Sequence, residues 1–257
     1  CIRDSVSICP KQAITMRADS EGFLYPVVDG TKCVACDACE KRCPAGKPAQ
    51  EKHAKLFGAQ AKDEQLRKAS SSGGIFTLLA RNAIAKGGVV FGAVFDENLR
   101  VEHIGALDET ELAGMRGSKY VQSDATDAIQ NAVSLLRRDI PVLFSGTPCQ
   151  VDGLYRYLGE HPERLITCDV ACSGVGSPGV WEKFVRSMAY IKQQKPLSVD
   201  FRGKLNGEST RRFHVTFENG GQYDAPLLRS EVGRGLARGI FLRPACHTCG
   251  YTSTDRT

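Results

Sequence analysis

The sequence has few of the features that mark membrane proteins or nucleic-acid-binding proteins. Its longest apolar stretch runs only from Gly87 to Phe95, whereas a helix that spans a bilayer needs about 20 apolar residues. The net charge is +5, from 34 basic and 29 acidic residues, which is too even a balance for a nucleic-acid-binding surface. No secretory signal is visible in the sequence. We therefore expect a cytoplasmic protein that binds neither membranes nor nucleic acid.

Histidine is scarce, whereas cysteine is abundant. The 5 histidines show none of the spacings by which histidines bind a metal ion, so none is assigned a ligand role. There are 11 cysteines among 257 residues. In a chain of this length without a secretory signal, and with the spacing described next, cysteines indicate thiolate ligands in a reducing cytosol rather than disulfides.

Four cysteines match the C-x2-C-x2-C-x3-C-P run of bacterial ferredoxins. They are Cys33, Cys36, Cys39 and Cys43, followed at once by Pro44. The short gaps allow one loop to surround a 4Fe-4S cluster. Structural zinc is the alternative, but zinc sites normally use two separated pairs of cysteines rather than four packed together. The run therefore predicts an iron–sulfur site.

A second run should precede the first, because the fourth cysteine of each run ligates the other cluster in two-cluster ferredoxins. Cys9, which is followed by a proline, has the form of the end of such a run. Counting back by the same spacing, Ser5 and Ile2 stand where cysteines are expected. We predict one ferredoxin-type cluster, held by Cys9 and the first three cysteines of the intact run, and a second site that is lost or degenerate. Whether Cys1 and Cys43 hold any cluster stays open.

The remaining sequence predicts an α/β fold. Residues 1–48 are predicted to form a small ferredoxin-like domain, and residues 49–257 a larger α/β domain with a mixed sheet, so that the protein is α+β overall. A short strand is predicted at Leu56-Phe57. Helices are predicted over 74–86, 124–138, 150–158 and 177–190, strands over 89–95, 140–144, 165–170, 197–201 and 212–217, and a hairpin at Asn219-Gly220-Gly221.

A second set of cysteines follows predicted strand ends. Cys149 and Cys172 each come just after a strand, and strand ends at one edge of an α/β sheet are where ligands gather. Cys246 and Cys249 form a C-x2-C pair. Together they supply four thiolates, the number that a 4Fe-4S cluster requires. Alternatively, the first two are inert core cysteines and the pair binds zinc. Cys168 lies inside a predicted strand and is interpreted as buried packing.

Two segments are candidates for binding an anionic group such as a phosphate. The first is the start of a helix at Ser70, Ser71, Ser72, Gly73 and Gly74, where backbone N–H groups could meet a phosphate. A simple serine-capped helix start is the alternative. The second segment offers an anion clamp and a ring contact through Arg116, Ser118, Lys119 and Tyr120. Its alternative is a solvated basic loop. Arg202 and Lys204 are weaker candidates of the same kind.

These motifs together resemble the family of coenzyme F420 hydrogenase/dehydrogenase beta subunits over essentially the whole chain. Besides the ferredoxin run, the resemblance rests on Ser70–Phe76, Arg116–Val121, Ser145–Gln150, Cys172–Pro178 and Phe241–Cys249. It implies an α/β flavoprotein oxidoreductase with FAD and one or two 4Fe-4S clusters. It also implies that Cys149, Cys172, Cys246 and Cys249 ligate an inner cluster, and it favours a flavin at the two segments described above.

The resemblance implies a function in electron transfer. Electrons would pass between a hydride carrier, the deazaflavin coenzyme F420 or a similar molecule, and a redox partner protein or larger complex, by way of FAD and the clusters. No side chain is expected to act as a catalytic acid or base. The alternatives are an electron-transfer subunit that carries clusters but no flavin, and a zinc-stapled scaffold.

The chain departs from the family pattern at three places. Ser173 follows Cys172 where many members have a histidine, so a proton-transfer role for that histidine is absent here. The first ferredoxin run lacks its usual cysteines. Family members usually continue beyond the position of Thr257, so the resemblance implies that the larger domain is truncated.

Overall fold

The computed structural model describes residues 6, 8–43, 55–205 and 208–251. The N-terminal module contains an antiparallel hairpin, β1 (Ile14–Ala18) and β2 (Leu24–Val28), and a short helix, α1 (Ala38–Arg42). Phe23, directly before β2, is fully buried beneath this hairpin. Cys1 and the predicted domain boundary near residue 48 lie outside the described residues.

The larger part begins with alternating helices and strands. In chain order these are α2 (Glu64–Lys68), α3 (Ile75–Ala85), β3 (Val89–Phe95), β4 (Val101–Ala106), α4 (Glu109–Met115), α5 (Thr126–Arg137), β5 (Val142–Gly146), α6 (Pro148–Leu158), β6 (Leu165–Asp169) and α7 (Pro178–Lys192). Aspartates cap α2 and α4, because Asp63 and Asp108 each accept two N–H bonds from the first helical turn. No helix in the described ranges is long and apolar enough to cross a membrane.

Four strands form a mixed sheet in the order β4-β3-β5-β6. β3 pairs in parallel with β5, β5 pairs in parallel with β6, and β4 pairs antiparallel to β3 at one edge. Successive side chains of a strand point to opposite faces. Accordingly Val90 and Leu143 pack with α3 and α4, whereas Phe91 and Phe144 pack with α5 and α6. The mixed α/β sheet predicted from the sequence is confirmed.

A second, antiparallel sheet follows, in the order β7-β8-β9. Its strands are β7 (Pro196–Leu205), β8 (Glu208–Phe217) and β9 (Gln222–Pro226), and a 3-10 turn at Leu227–Arg229, helix α8 (Glu231–Ala237) and a 3-10 turn at Pro244–Cys246 complete the fold. Its core is aromatic: the rings of Trp181 and Phe201 lie 5.2 Å apart, as do those of Phe201 and Phe213. The Trp181 indole N–H donates to the Leu99 carbonyl at 2.6 Å, which ties this core to the β3–β4 turn.

The structure also shows where the sequence patterns were informative. All five predicted strands and all four predicted helices of the larger domain are present, with shifted ends, and the Asn219-Gly220-Gly221 hairpin joins β8 to β9. The predicted strand at Leu56-Phe57 is wrong: both residues lie outside any strand and are 78% and 84% exposed. Helix α4 and strand β4 were not predicted, because α4 has only 7 residues and Glu102, His103 and Gly105 interrupt the apolar residues of β4.

The ferredoxin-like module is held against the larger part at the start of α7. The Glu21 carbonyl accepts the Ser177 hydroxyl at 2.5 Å and the Gly179 N–H at 2.8 Å. A Cβ atom on Gly179 would lie 2.7 Å from that carbonyl, so only glycine allows this approach. The hairpin turn therefore contacts the first helical turn through backbone atoms.

Arg243 completes this interface as a buried cation. It is 5% exposed, and its guanidinium lies 4.6 Å from the Tyr25 ring centroid and 5.8 Å from that of Phe23. One terminal nitrogen donates to the Leu24 carbonyl at 3.2 Å. Both a cation–π contact and a hydrogen bond thus join Arg243 to the hairpin.

We expect Arg243→Met to loosen the β1–β2 hairpin without unfolding the larger part. The methionine fills the volume but removes the cation–π contact and the bond to Leu24, together about 2 kcal/mol. Amide hydrogen exchange in β2 should accelerate at least about tenfold. Arg17→Met, in an exposed position on β1, is the control. Unchanged exchange in β2 of the Arg243 variant would show that the interface does not depend on this residue.

Candidate cofactor site

Four cysteines of the larger part come together from three distant segments. Cys149 lies in the first turn of α6, directly after β5, and Cys172 follows the end of β6. Because β5 and β6 run parallel, with Gly146 beside Asp169 at their ends, both cysteines reach the same edge of the sheet. Cys246 ends the last 3-10 turn and Cys249 follows it. The sequence predicted this grouping of two strand ends and one C-x2-C pair.

Two of the four thiols, Cys149 and Cys172, are affected electrostatically by the other cysteines. Burial is the main cause that raises the pKa of Cys172, to about 11, and the nearby Cys149, Cys246 and Cys249 raise it further. Burial likewise raises the pKa of Cys149, with smaller contributions from Cys249 and Cys246. Such mutual effects require short separations. The four half-buried thiols therefore lie near one another at this edge, and we call this group the pocket of four thiols.

Hydrogen bonds orient two of these sulfur atoms. The hydroxyl of Thr147 lies 3.1 Å from the Cys149 sulfur, and the Gly174 N–H donates to the Cys172 sulfur at 3.4 Å. Thr147 also forms a capping box with Gln150, which fixes the start of α6. The local fold thus holds these two thiols in defined positions.

The spacing of the thiols bears on the kind of metal centre that they could hold. A single tetrahedral zinc ion with Zn–S bonds of about 2.3 Å places its sulfurs roughly 3.8 Å apart. Within the described ranges, no three or more Cys, His, Asp or Glu side chains converge closely enough to hold one metal ion. Four neighbouring thiols match the number of ligands that a 4Fe-4S cluster takes.

The cysteines of the N-terminal module lie nearer the surface. Cys33 and Cys36 are exposed, whereas Cys9, Cys39 and Cys43 are half-buried. The Cys43 N–H donates to the Cys39 carbonyl at 3.1 Å across α1, and the Ala13 N–H donates to the Cys9 sulfur at 3.3 Å. Cys168 is half-buried rather than fully buried, because β6 is the edge strand of its sheet.

The serine and glycine segment begins helix α3 without a side-chain cap. Gly74 is the N-cap residue at φ +80°, a conformation that favours glycine, and no side chain accepts from the first turn. Ser70 instead donates back to the Leu66 carbonyl at 2.7 Å. This differs from the simple serine-capped start and leaves first-turn N–H groups of α3 without a side-chain partner. Gly73 is packed closely against Gln60, where a Cβ atom would meet the backbone at 3.2 Å.

The second candidate segment lies beside the first. The Ser118 and Ser71 hydroxyl oxygens are 3.4 Å apart, so the two loops lie side by side, and we call the region between them the cleft. Lys119 is not a solvated side chain: its ammonium donates to the carbonyls of Gly114 and Arg116 at 2.8 and 2.9 Å. Burial lowers the pKa of Lys119 to about 8. Ser72 is reached from β7, where Lys204 donates to its carbonyl at 3.3 Å.

A bridging loop, residues 172–177, connects this cleft to the four thiols. Its Gly176 exchanges backbone hydrogen bonds with the Tyr120 carbonyl at 3.1 Å and the Gln122 N–H at 3.0 Å. On its other side, the Arg243 N–H donates to Val175 and the Ser177 N–H donates to Phe241. The bridging loop therefore holds Tyr120 and the segment that leads to Cys246 on either side of Cys172.

Three residues of this region were given no role from the sequence. Thr147 could have been recognised, since a threonine followed three positions later by Gln150 is a capping-box pattern. Arg243 lies within one of the quoted motifs, but its contact with the hairpin depends on tertiary packing. Arg211 borders the cavity next to Tyr120 and has no sequence signal.

Comparisons with known proteins agree with this arrangement. A family model for the C terminus of the beta subunit of coenzyme F420 hydrogenase/dehydrogenase matches residues 141–256, and the corresponding N-terminal model matches residues 56–130. A 4Fe-4S dicluster domain model matches residues 6–47.

Two relatives are informative. The F subunit of F(420)H(2) dehydrogenase from Methanosarcina mazei is 24% identical over 270 residues, covering 96% of this chain and 70% of the relative. A chain in the solved structure of the F420-reducing NiFe hydrogenase complex from Methanosarcina barkeri matches with a TM-score of 0.50 and 20% identity, covering 74% of this chain. The present chain spans 63% of that chain, and the likeness concerns the fold.

We expect Gly176→Ala to destabilise the bridging loop. A Cβ atom there would lie 2.7 Å from the Tyr120 carbonyl and 3.0 Å from Leu236, and overpacking of this kind costs about 1–3 kcal/mol. Thermal unfolding should occur at a lower temperature. Gly58→Ala, where a Cβ atom meets nothing within 4 Å, is the control. Equal stability of both variants would contradict a tight bridging loop.

Proposed function

Because the chain belongs to the family of coenzyme F420 hydrogenase/dehydrogenase beta subunits, an oxidoreductase family, and also carries a 4Fe-4S domain, we propose that it is an iron–sulfur flavoprotein. It moves electrons between a hydride carrier, coenzyme F420 or a similar molecule, and a redox protein partner or larger complex. FAD occupies the cleft between the two loops. One 4Fe-4S cluster occupies the pocket of four thiols, and another occupies the N-terminal module.

One observation carries the proposal most strongly: the bridging loop is bonded both to the cleft and to the segment that leads to Cys246. Gly176 pairs with Val121 on one side, where its N–H donates to the Tyr120 carbonyl, and with Leu242 on the other. Side chains that would hold a flavin and side chains that would hold a cluster are thus separated by a single strand of backbone. Such closeness supports electron exchange between two cofactors.

The residues present fit these groups. When bound, a flavin exchanges two electrons as a hydride, and iron–sulfur clusters pass single electrons. The uncapped first turn of α3, at Gly74, offers N–H groups and positive potential to a phosphate or an anionic ring. Ser71, Ser72 and Gly73 would line that approach. Ser118, Lys119 and Tyr120 would close the cleft from the other side, with Lys119 shaping the loop through its carbonyl bonds.

The surroundings of the cysteines would set the reduction potentials of the two clusters, and with them the direction of electron transfer between the clusters. Hydrogen bonds to sulfur and burial both tune the potential of a cluster. Cys149, Cys172, Cys246 and Cys249 would hold the inner cluster in a half-buried pocket. Cys9, Cys33, Cys36 and Cys39 would hold the outer cluster, two of them exposed, where a partner protein can approach. Cys43 would remain for a second, degenerate site of that module.

A cluster-only electron-transfer subunit is the second candidate. It is supported by the fact that Lys119 already donates to backbone carbonyls and that Gly73 packs against Gln60, so both loops have structural reasons for their sequence. In this case the cleft holds no flavin. The two experiments below separate the candidates.

The first experiment measures iron, acid-labile sulfide and flavin per chain in anaerobically purified protein. We expect about eight irons with one flavin, since each 4Fe-4S cluster contributes four irons. Cys246→Ser and Cys36→Ser should each lower the iron content to about four. Cys168→Ser, on β6 and outside both groups, is the matched control and should leave iron unchanged. Zinc in place of iron would refute both candidates.

The second experiment tests the cleft. Ser71→Asp places a negative charge at the start of α3, where it does not harm the helix but repels a phosphate or an anionic flavin. We expect flavin content to fall by at least about tenfold while iron stays unchanged. Ser134→Asp, on the exposed face of α5, is the control. Flavin retained by the Ser71 variant would argue against this cleft, and a wild-type protein with iron but no flavin would favour the cluster-only candidate.

A further inference from the structure

A cavity of about 390 Å³ lies beside the proposed flavin cleft. It is bounded by β7, β8, the end of β9 and the 3-10 turn that follows. Its walls combine two cations with an aromatic ring and apolar side chains: Arg202, Arg211, Tyr120, Pro226, Leu227 and Leu228. Pockets that bind small molecules have this composition, mostly apolar with a few polar groups that fix orientation.

Arg202 has unused hydrogen-bonding capacity at this cavity. Its Nε atom is buried and has no hydrogen-bond acceptor in the described part of the chain. Buried donors of this kind normally have a partner, and a guanidinium has the planar fork that matches a phosphate or a carboxylate. The nearby carboxylate of Asp200 accepts from the Arg202 backbone N–H at 2.8 Å. Since Arg202 lines the cavity, an anion bound there would offer acceptors to its guanidinium.

Arg211 supplies the second cation from a strained position. Its φ is +48°, in the left-handed region that residues other than glycine rarely adopt. Strained backbone of this kind is concentrated at sites that bind ligands. Two arginines that face one cavity repel each other unless an anion lies between them.

The cavity adjoins the second of the two loops that would hold the flavin. Tyr120 belongs to both, since it lines the cavity and directly follows Ser118 and Lys119. Its ring also packs edge-on against Phe201, with centroids 5.4 Å apart. On β7, Lys204, two residues after Arg202, donates to the Ser72 carbonyl. A molecule with its ring in the cleft could therefore extend a charged arm into the cavity.

We propose that this cavity is an anion subsite, in which Arg202 and Arg211 bind the phosphate or carboxylate arm of a ring-bearing cofactor while Tyr120 and the leucines cover its apolar part. The inference rests on the proposed function. Two molecules carry such an arm, the flavin itself and the deazaflavin hydride carrier, and the experiment distinguishes them.

The experiment uses Arg202→Gln and Arg211→Gln in the anaerobically reconstituted protein. The control is Arg229→Gln, which removes the same charge from an exposed position on the adjacent turn, outside the cavity lining. If the arm is that of the flavin, FAD should bind about ten- to a hundredfold more weakly, as expected for loss of a charged hydrogen bond, while riboflavin, which has no phosphate, binds unchanged. If the arm bound in the cavity belongs to the deazaflavin, the flavin content of the variants stays constant. The KM for coenzyme F420 then rises about tenfold or more, with kcat unchanged.

Arg202→Lys keeps the positive charge but loses the planar fork of the guanidinium. It replaces the glutamine variant if the melting curve of that variant shows that it does not fold. We expect the lysine variant to bind the cofactor with intermediate affinity. Inorganic pyrophosphate, titrated by calorimetry, tests the subsite without any flavin. Pyrophosphate bound by wild type and lost in the variants would support the subsite even if no flavin binds, so failure of the proposed function is distinguishable. Unchanged binding of FAD, coenzyme F420 and pyrophosphate in both variants, or an equal loss in Arg229→Gln, would overturn the proposal.

Discussion

The parallel pairing of β5 with β6 is the constraint on which the candidate site depends. The two strands run in the same direction and end together at Gly146 and Asp169. The segments that follow them therefore begin at the same edge of the sheet. Cys149 and Cys172 follow those ends. The same edge receives the C-x2-C pair, because the bridging loop is hydrogen-bonded to residues 241–243. Four thiols from three segments meet there only with this topology.

A second dependency links the two modules. The hairpin of the N-terminal module contacts the first turn of α7 through the Glu21 carbonyl, and Arg243 lies against its aromatic side chains. Arg243 is also three residues from Cys246 and bonded to Val175 of the bridging loop. One short segment therefore helps to position both the module and the thiol pocket. A structural change in the N-terminal module would therefore shift the pocket of four thiols, and the reverse, because both contact the same backbone segment.

The sequence was most informative where ligand chemistry dictates spacing. The ferredoxin run predicted its site from four cysteines and a proline, and the α/β core followed from apolar strands such as Val89–Phe95, whose burial leaves little choice. The pocket of four thiols could be anticipated only as a possibility, since convergence of Cys149 with Cys246 depends on topology. The cavity at Arg202 and Arg211 could not be predicted, because it is created by strand register and a left-handed residue. The strand predicted at Leu56-Phe57 is wrong, because two adjacent apolar residues alone do not specify a strand.

Helix α6 connects the pocket of four thiols to the N-terminal module. It begins beside Cys149, and the carbonyls of Arg156 and Tyr157 near its end accept hydrogen bonds from Arg42 of the N-terminal module. Eleven residues at 1.5 Å each make a rod of about 16 Å. Under the proposed function, α6 therefore acts as a spacer between the two sets of cysteines. Inserting one further helical turn would move its two ends about 5.4 Å further apart and lengthen the path that electrons must cross.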